Sequence, residues 1–313
     1  MRKILLATTA IVALSAGSAM ASDITISGSF EFGHTSDSGN SNSNVADDGT
    51  AYYAEQDVNI NFSSTTDSGI TMSMSMGIDE NDATDDTNAS LSGDFGTIMF
   101  AEADDASVLG MDIDVDGATS EEGASAADAA TYAGGFSGVT GTSLNYTLPT
   151  LVEGLTITGS HANGAADAES YGFGARYTMS AAGASVTLAT ATSSSNTGTA
   201  GDSDVDRNHY GIQIVSGDIT IMGESNTMTD PDVANSDYSS TGVGATYKMG
   251  AMTLGAYNRT ASTGTAAQDY SQTAYGIDYT VAAGLTASVT VTSTDTSSTV
   301  SNDRTAMALK MAF

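Results

Sequence analysis

Three aspartates in the first half of the chain alternate with other residues in a pattern that can bind a divalent cation. The run Asp112-Ile113-Asp114-Val115-Asp116-Gly117 begins like an EF-hand calcium loop, which places oxygen ligands at alternating positions before a glycine. The EF-hand pattern then requires a glutamate where Gly123 stands, and no helical pattern flanks the run. An EF-hand is therefore not predicted. Two interpretations stay open, namely a looser oxygen-ligand site for calcium and a solvated acidic loop.

No arrangement of residues typical of catalysis can be identified by spacing. The three histidines, His34, His161 and His209, lie far apart in the chain and are predicted at loop edges. The absence of cysteine excludes disulfides and thiol-metal sites. The glycines at 172, 174, 242 and 244 are followed by neither a lysine nor a helix start, so they are not phosphate-binding loops. We therefore predict that the protein is not an enzyme and that it requires no cofactor, with calcium as a possible ligand.

The charge balance excludes nucleic acid as a partner. The chain has 38 acidic and 8 basic residues and a formal net charge of −30. Phosphate contacts require lysine and arginine, which are scarce here. A strongly negative surface instead attracts cations.

The N-terminus has the pattern of a secretory signal peptide. Met1-Arg2-Lys3 precedes a short apolar run, and Ala19-Met20-Ala21 forms an A-x-A cleavage site. We predict a cleaved signal peptide at residues 1–21 and a single domain at residues 22–313.

Residues 22–313 alternate between large apolar and small or polar side chains in sixteen segments, from Asp23–His34 to Asp303–Phe313. In the last segment Met307, Met311 and the terminal Phe313 share one face, because side chains in a strand alternate with period two. Short connections such as Gly217 alternate with long polar ones such as Thr35–Ala51. This pattern is typical of an outer-membrane barrel. We predict an all-β, 16-stranded antiparallel transmembrane β-barrel.

Charged residues within the predicted strands fall on the phase opposite the large apolar ones, except Asp206 and Glu102, which lie at strand ends. This phase would face the lumen, because an arginine or lysine facing lipid at the membrane midplane costs about 2–4 kcal/mol. By strand direction Arg259 and Arg304 are expected near the rim with the long loops, and only Arg176 deep in the lumen. The predicted charged residues of the lumen wall are Glu31, Asp57, Arg176, Glu224, Arg259, Asp278 and Arg304.

Two stretches, Phe62–Ile70 and Leu91–Ile98, resemble the alphaproteobacterial general porins of the Rhodobacter type. The opening Ile24–Gly28 and the closing Phe313 are similar to that family as well. The resemblance implies a homotrimer in the Gram-negative outer membrane, in contact with lipid and lipopolysaccharide. It also implies a third extracellular loop that folds into the pore as a constriction.

The constriction loop implied by this resemblance is about residues 104–140, which follow the fifth predicted strand. Its acidic residues are Asp104, Asp105, Asp112, Asp114, Asp116, Glu121, Glu122 and Asp128, and it contains no basic residue. Rings of acidic side chains favour cations. We therefore expect a water-filled channel for passive diffusion of small hydrophilic solutes, with a preference for cations. Asp112, Asp114 and Asp116 are the expected ligands if the loop binds calcium.

Two other functions are compatible with parts of the sequence. A porin specific for one small nutrient would have a saturable binding site in the lumen. A secreted, acidic, calcium-binding β-sandwich or surface protein would explain the acidity, but not the terminal phenylalanine or the alternating loop lengths. Extraction distinguishes the last class, since such a protein is released by a chelator alone, whereas a barrel fractionates with the outer membrane.

Overall fold

A closed antiparallel β-barrel accounts for nearly all of the chain that the computed structural model describes, which is residues 22–39, 49–79, 85–103, 111–119, 141–163, 168–196, 204–232, 237–263, 269–296 and 300–313. Each strand pairs with its neighbour in the sequence, and β1 pairs with β16 to close the sheet. Within these ranges no helix has the length and apolar character needed to cross a membrane. The predicted signal peptide lies outside the described residues.

Sixteen strands are present in the described part of the chain, as the alternation predicts. The first eight are β1 (Ser22–Gly39), β2 (Gly49–Thr65), β3 (Thr71–Asp79), β4 (Asp85–Gly93), β5 (Gly96–Ala103), β6 (Gly141–Thr147), β7 (Leu155–Asn163) and β8 (Glu169–Ala181). The second eight are β9 (Ala184–Ser195), β10 (Val205–Ser216), β11 (Ile219–Thr229), β12 (Tyr238–Met249), β13 (Met252–Thr263), β14 (Tyr270–Ala282), β15 (Leu285–Thr296) and β16 (Val300–Ala312). The predicted fold class is confirmed.

The two ends of the sheet are joined at the C-terminal phenylalanine. The backbone N–H of Gly28 donates to the carbonyl of Phe313 at 3.1 Å, and the N–H of Phe313 donates to the carbonyl of Gly28 at 3.0 Å. Closure matters because a lipid bilayer offers no hydrogen bonds to an open strand edge. Phe313 is therefore part of the seam that completes the barrel.

The two faces of each strand differ as the alternation predicts. In β16, Met307 and Met311 are about half exposed on the outer face, whereas Ala306 is 4% exposed and points inward. The outer face carries large apolar side chains around the barrel, for example Phe32 in β1 and Ile221 in β11. This band supplies the surface that lipid requires.

Tight turns on one rim connect β8 to β9, β10 to β11, β12 to β13 and β14 to β15. Gly217 and Gly250 begin two of them with φ of 58° and 62°, a conformation that glycine adopts without a steric penalty. Because the strand number is even, both ends of the barrel domain reach this rim. In outer-membrane barrels the short turns lie on the periplasmic side.

We expect Gly28→Ala to weaken closure of the barrel. A Cβ atom at Gly28 would collide with the backbone oxygen of Asp57 and come within 2.9 Å of the Cζ atom of Phe313. Overpacking of this kind costs about 1–3 kcal/mol. The measurement is the temperature at which the folded band converts to the unfolded band on a gel, and it should fall.

Gly159→Ala is the matched control, because Gly159 is also a strand glycine and its nearest neighbour would lie 3.9 Å from the new Cβ atom. Equal transition temperatures for the two variants would contradict the role assigned to Gly28.

Candidate pore constriction

The segment of residues 111–119 lies inside the barrel, against the inner wall formed by β9 to β14. Its side chains alternate as in a strand, so Ile113 and Val115 are buried at 4% and 0% exposure while Asp112 and Asp114 face the lumen. Ile113, Val115 and Ala118 pack in one cluster with four residues of the wall, Ala189, Met222, Tyr257 and Ala274. Burial of a branched aliphatic side chain contributes about 1.5–3 kcal/mol. Apolar contact therefore holds the segment, and its carboxylates remain available to the pore.

Glycines in the wall make room for this segment. A Cβ atom at Gly242 would come within 2.6 Å of Val115 Cγ2, and one at Gly244 within 2.9 Å of the Val115 carbonyl oxygen. A Cβ atom at Gly255 would collide with the carbonyl oxygen of Ala118. The glycines on the lumen phase of β12 and β13 thus have a packing function, which the sequence alone did not reveal.

A buried arginine anchors the acidic segment to the wall. Arg259 Nε in β13 donates to Glu224 Oε1 in β11 at 2.7 Å, and both side chains are almost completely buried. On the segment, Asp116 Oδ2 and Asp114 Oδ1 lie 3.4 and 3.8 Å from Arg259 Nη2. Sequence position had placed Arg259 near the long-loop rim and Arg176 alone in the depth of the lumen. The contact of Arg259 with the constriction segment was not predicted.

His209 in β10 makes a second polar attachment. The backbone N–H of Ile113 donates to His209 Nε2 at 3.0 Å, and His209 Nδ1 lies 2.6 Å from Asn226 Oδ1. The side-chain amide of Asn226 in turn donates to Ser240 Oγ at 3.2 Å. His209 is 1% exposed. The prediction placed this residue near the long-loop end of its strand, and the inserted segment buries it there.

The remaining predicted wall residues lie on the inward phase of their strands, and several are paired along the seam of the barrel. The hydroxyl of Tyr53 donates to Glu31 Oε1 at 2.8 Å, and Lys310 Nζ lies 3.5 Å from Glu31 Oε2. Arg304 Nε donates to Asp37 Oδ1 at 2.6 Å. The other predicted wall residues are Asp57, whose carboxylate accepts from Ser29 at 2.9 Å, and Arg176 and Asp278, which are both half-buried.

The calcium site expected at Asp112, Asp114 and Asp116 stays a prediction. Within the described ranges, no three acidic or histidine side chains are close enough together to hold a metal ion. Asp114 and Asp116 face the guanidinium of Arg259. The other predicted acids of the loop lie outside the described residues. They are Asp104, Asp105, Glu121, Glu122 and Asp128.

Asp114 is the carboxylate most strongly affected by its surroundings. Enclosure by the barrel, followed by repulsion from Asp116 and Glu224, raises the pKa of the Asp114 carboxyl to about 8. Its side chain keeps about half of its surface open to the lumen. Asp114 is therefore neutral in acid and gains its charge as the pH rises through about 8.

Comparisons with known proteins agree on one architecture. A family model described as Gram-negative porin matches residues 7–299. A sequence comparison with curated proteins gives no match. A double mutant of Rh. blastica porin superposes with a TM-score of 0.65 at 18% identity, covering 93% of this chain and 100% of its own.

Two further solved structures align with 93% of this chain and 100% of their own. One is a porin, with a TM-score of 0.67 at 19% identity, and the other is an anion-selective porin from Comamonas acidovorans, with 0.68 at 14% identity. At such low identity, the structural similarity establishes the fold alone.

We expect Arg259→Ala to destabilise the protein strongly, because it leaves Glu224 buried without a counter-charge. Removal of one partner of a buried ion pair costs about 3–5 kcal/mol. The gel transition temperature should fall, and Glu224→Gln in the same background should restore part of the loss.

Arg304→Ala is the matched control, because the ion pair of Arg304 with Asp37 is about one-fifth exposed on each side. Its effect should be smaller, since solvent screens a more exposed pair. A loss as large as that of Arg259→Ala would contradict the role assigned to burial.

Proposed function

The chain belongs to the Gram-negative porin family, and from that premise we propose that it is a cation-preferring outer-membrane channel for passive diffusion of small hydrophilic solutes. Porins are channel proteins, and a sixteen-stranded barrel is wide enough to enclose an aqueous passage. The finer part of the proposal concerns the preference for cations and depends on the charges at the constriction.

The observation that carries this proposal is the placement of charge around residues 111–119. Three carboxylates, those of Asp114, Asp116 and Glu224, lie within 4 Å of the Arg259 guanidinium there, and Asp112 adds a fourth carboxylate on the same segment. Arg259 is 2% exposed beneath the segment, whereas Asp112 and Asp114 face the lumen. A permeating ion therefore meets carboxylates first. Acidic rings of this kind favour cations.

Selectivity has to be argued from these side chains and not from the fold. The Comamonas porin is described as anion-selective, yet its backbone superposes on this chain. A shared barrel can thus carry either preference. In this chain the overall charge of −30 supports the cation preference as well.

We further propose that the protein is exported by removal of residues 1–21 and forms a homotrimer in contact with lipid and lipopolysaccharide. Five consecutive strands, β3 to β7, have only seven to nine residues each. Met72 and Met74 form an exposed apolar strip on the outer face of β3, the first of these short strands. The strip supports the use of this part of the barrel as a protein-protein contact. Diffusion through the channel needs no cofactor.

The reversal potential in a salt gradient tests the cation preference, measured at about pH 9, where Asp114 carries its charge. We expect the wild-type channel to favour cations, and the triple variant Asp112→Asn, Asp114→Asn, Asp116→Asn to lose most of that preference. The reason is that the variant removes the negative charges of the segment inserted into the barrel.

A triple neutralisation at Asp230, Asp232 and Asp237 removes the same charge from the rim between β11 and β12, and it should have the smaller effect because rim charges are screened by salt. Anion preference in the wild type would overturn the proposal. An unchanged preference in the constriction variant would assign the selectivity to other residues.

The cation preference should also depend on pH. Since the pKa of Asp114 is raised to about 8, the constriction gains one negative charge on passing upward through that pH. We expect the ratio of cation to anion permeability to rise between about pH 7 and about pH 9 in the wild type. Asp114→Asn should remove this rise. A rise that persists in the variant would show that another group titrates.

A further inference from the structure

His209 is a buried titratable residue that ion permeation itself does not use. It lies between the constriction segment and the wall, with Ile113 on one side of the imidazole and Asn226 on the other. The two contacts fix which ring nitrogen carries the proton. Nε2 faces the N–H of Ile113, which can only donate, so Nε2 must be the unprotonated acceptor.

The neighbouring amide agrees with this tautomer. Asn226 donates through Nδ2 to Ser240, which directs Oδ1 towards the imidazole. Oδ1 is an acceptor, and the short distance of 2.6 Å requires a proton on His209 Nδ1. The hydrogen bonds therefore run in one direction: Ile113 donates to His209, His209 to Asn226, and Asn226 to Ser240. This arrangement holds only while the imidazole is neutral.

We propose that His209 is the positioning residue of the constriction and that its protonation releases residues 111–119 from the wall. This proposal rests on the proposed function, in which that segment narrows the channel. In the imidazolium both ring nitrogens carry protons, so Nε2–H faces the N–H of Ile113, donor against donor. The attachment is lost, and a buried N–H is left without its acceptor.

The charged groups around His209 are known from the strand register. Arg207 precedes it by two residues on the same face of β10, and across the sheet Glu224 stands two residues from Asn226 on β11. On the segment, Asp112 and Asp114 flank Ile113. The residue opposite His209 on β9 is Ala191, which does not titrate.

Release does not require unfolding of the barrel. In the seated state, the apolar contacts of Ile113, Val115 and Ala118 and the contacts of Arg259 with Asp114 and Asp116 also hold the segment. Loss of the His209 attachment therefore shifts an equilibrium between a seated and a displaced segment. We expect the displaced population to grow by about tenfold, the change that corresponds to one net hydrogen bond.

Single-channel recording in symmetric salt tests the proposal, with acidification from about pH 8 to about pH 5, the range in which histidines titrate. The wild type should switch between conductance levels more often in acid, by about tenfold. His209→Gln should lack this acid-dependent switching, because an amide does not take up a proton. The reference channel with His209 intact and all variants carry Asp114→Asn, so that the titration of Asp114 does not contribute.

Asn226→Asp provides the directional test. A carboxylate beside Nδ1–H favours the imidazolium, so the acid transition should begin at a higher pH than in the wild type. A purely structural role for His209 predicts no such shift. His161→Gln is the matched control, because the ring of His161 lies against Tyr171 at 4.7 Å, away from the constriction. It should leave the transition unchanged.

The proton itself can be observed by nitrogen NMR of ¹⁵N-labelled histidine in the wild-type trimer. The signals lost in the His161→Gln and His34→Gln variants are assigned to those two residues. The remaining signal belongs to His209 and should show the Nδ1–H tautomer at neutral pH. An Nε2–H tautomer, or switching that is unaffected by pH in the wild type, would overturn the proposal. Anion preference would overturn the proposed function instead, and it would leave the His209 transition measurable.

Discussion

Closure of the backbone hydrogen-bond network determines the rest of this structure, because a strand edge exposed to lipid would leave a row of unpaired N–H and carbonyl groups. The pairing of β1 with β16, ending at Gly28 and Phe313, satisfies that requirement. Once the sheet is closed, every strand has one face towards lipid and one towards the lumen. Charged side chains therefore collect inside, where they set the electrostatic field of the passage. The requirement that the barrel be closed is thus also the reason that charged side chains line the lumen.

Within the closed barrel, charge repulsion opposes the insertion of residues 111–119. A run rich in carboxylates would be repelled from an acidic wall, yet residues 111–119 lie directly on it. Alternation provides the solution, because Ile113 and Val115 point to the wall while Asp112 and Asp114 point away from it. The buried guanidinium of Arg259 then offsets the repulsion between Glu224 and the aspartates of the segment. Burial of an ion pair is costly in itself, so this one is better explained by the fixed position that it gives the segment than by net stability.

Much of the architecture could be predicted from the sequence, because the period of a strand is a local property. All sixteen strands, their phase and the seam follow from alternation and turn residues. The contacts of the site could not be predicted in the same way. Arg259 and Asp116 are 143 positions apart, and Ile113 and His209 are 96 apart. Only the path of the inserted segment brings them together, and no local pattern encodes that path. A signal was nevertheless present in the glycines of β12 and β13, since small residues on a lumen phase leave space that another part of the chain can fill.

The same glycines link the geometry of the pore to its chemistry. Gly242 and Gly244 allow Val115 to approach the wall, and this approach brings Asp116 within reach of Arg259. A larger side chain at either glycine would push the segment towards the axis of the barrel and lengthen the distance between that aspartate and its counter-charge. The opening would become narrower, and the carboxylates would be compensated less. Width and charge at the constriction are therefore not independent in this barrel, because both depend on how closely one short segment packs against the wall.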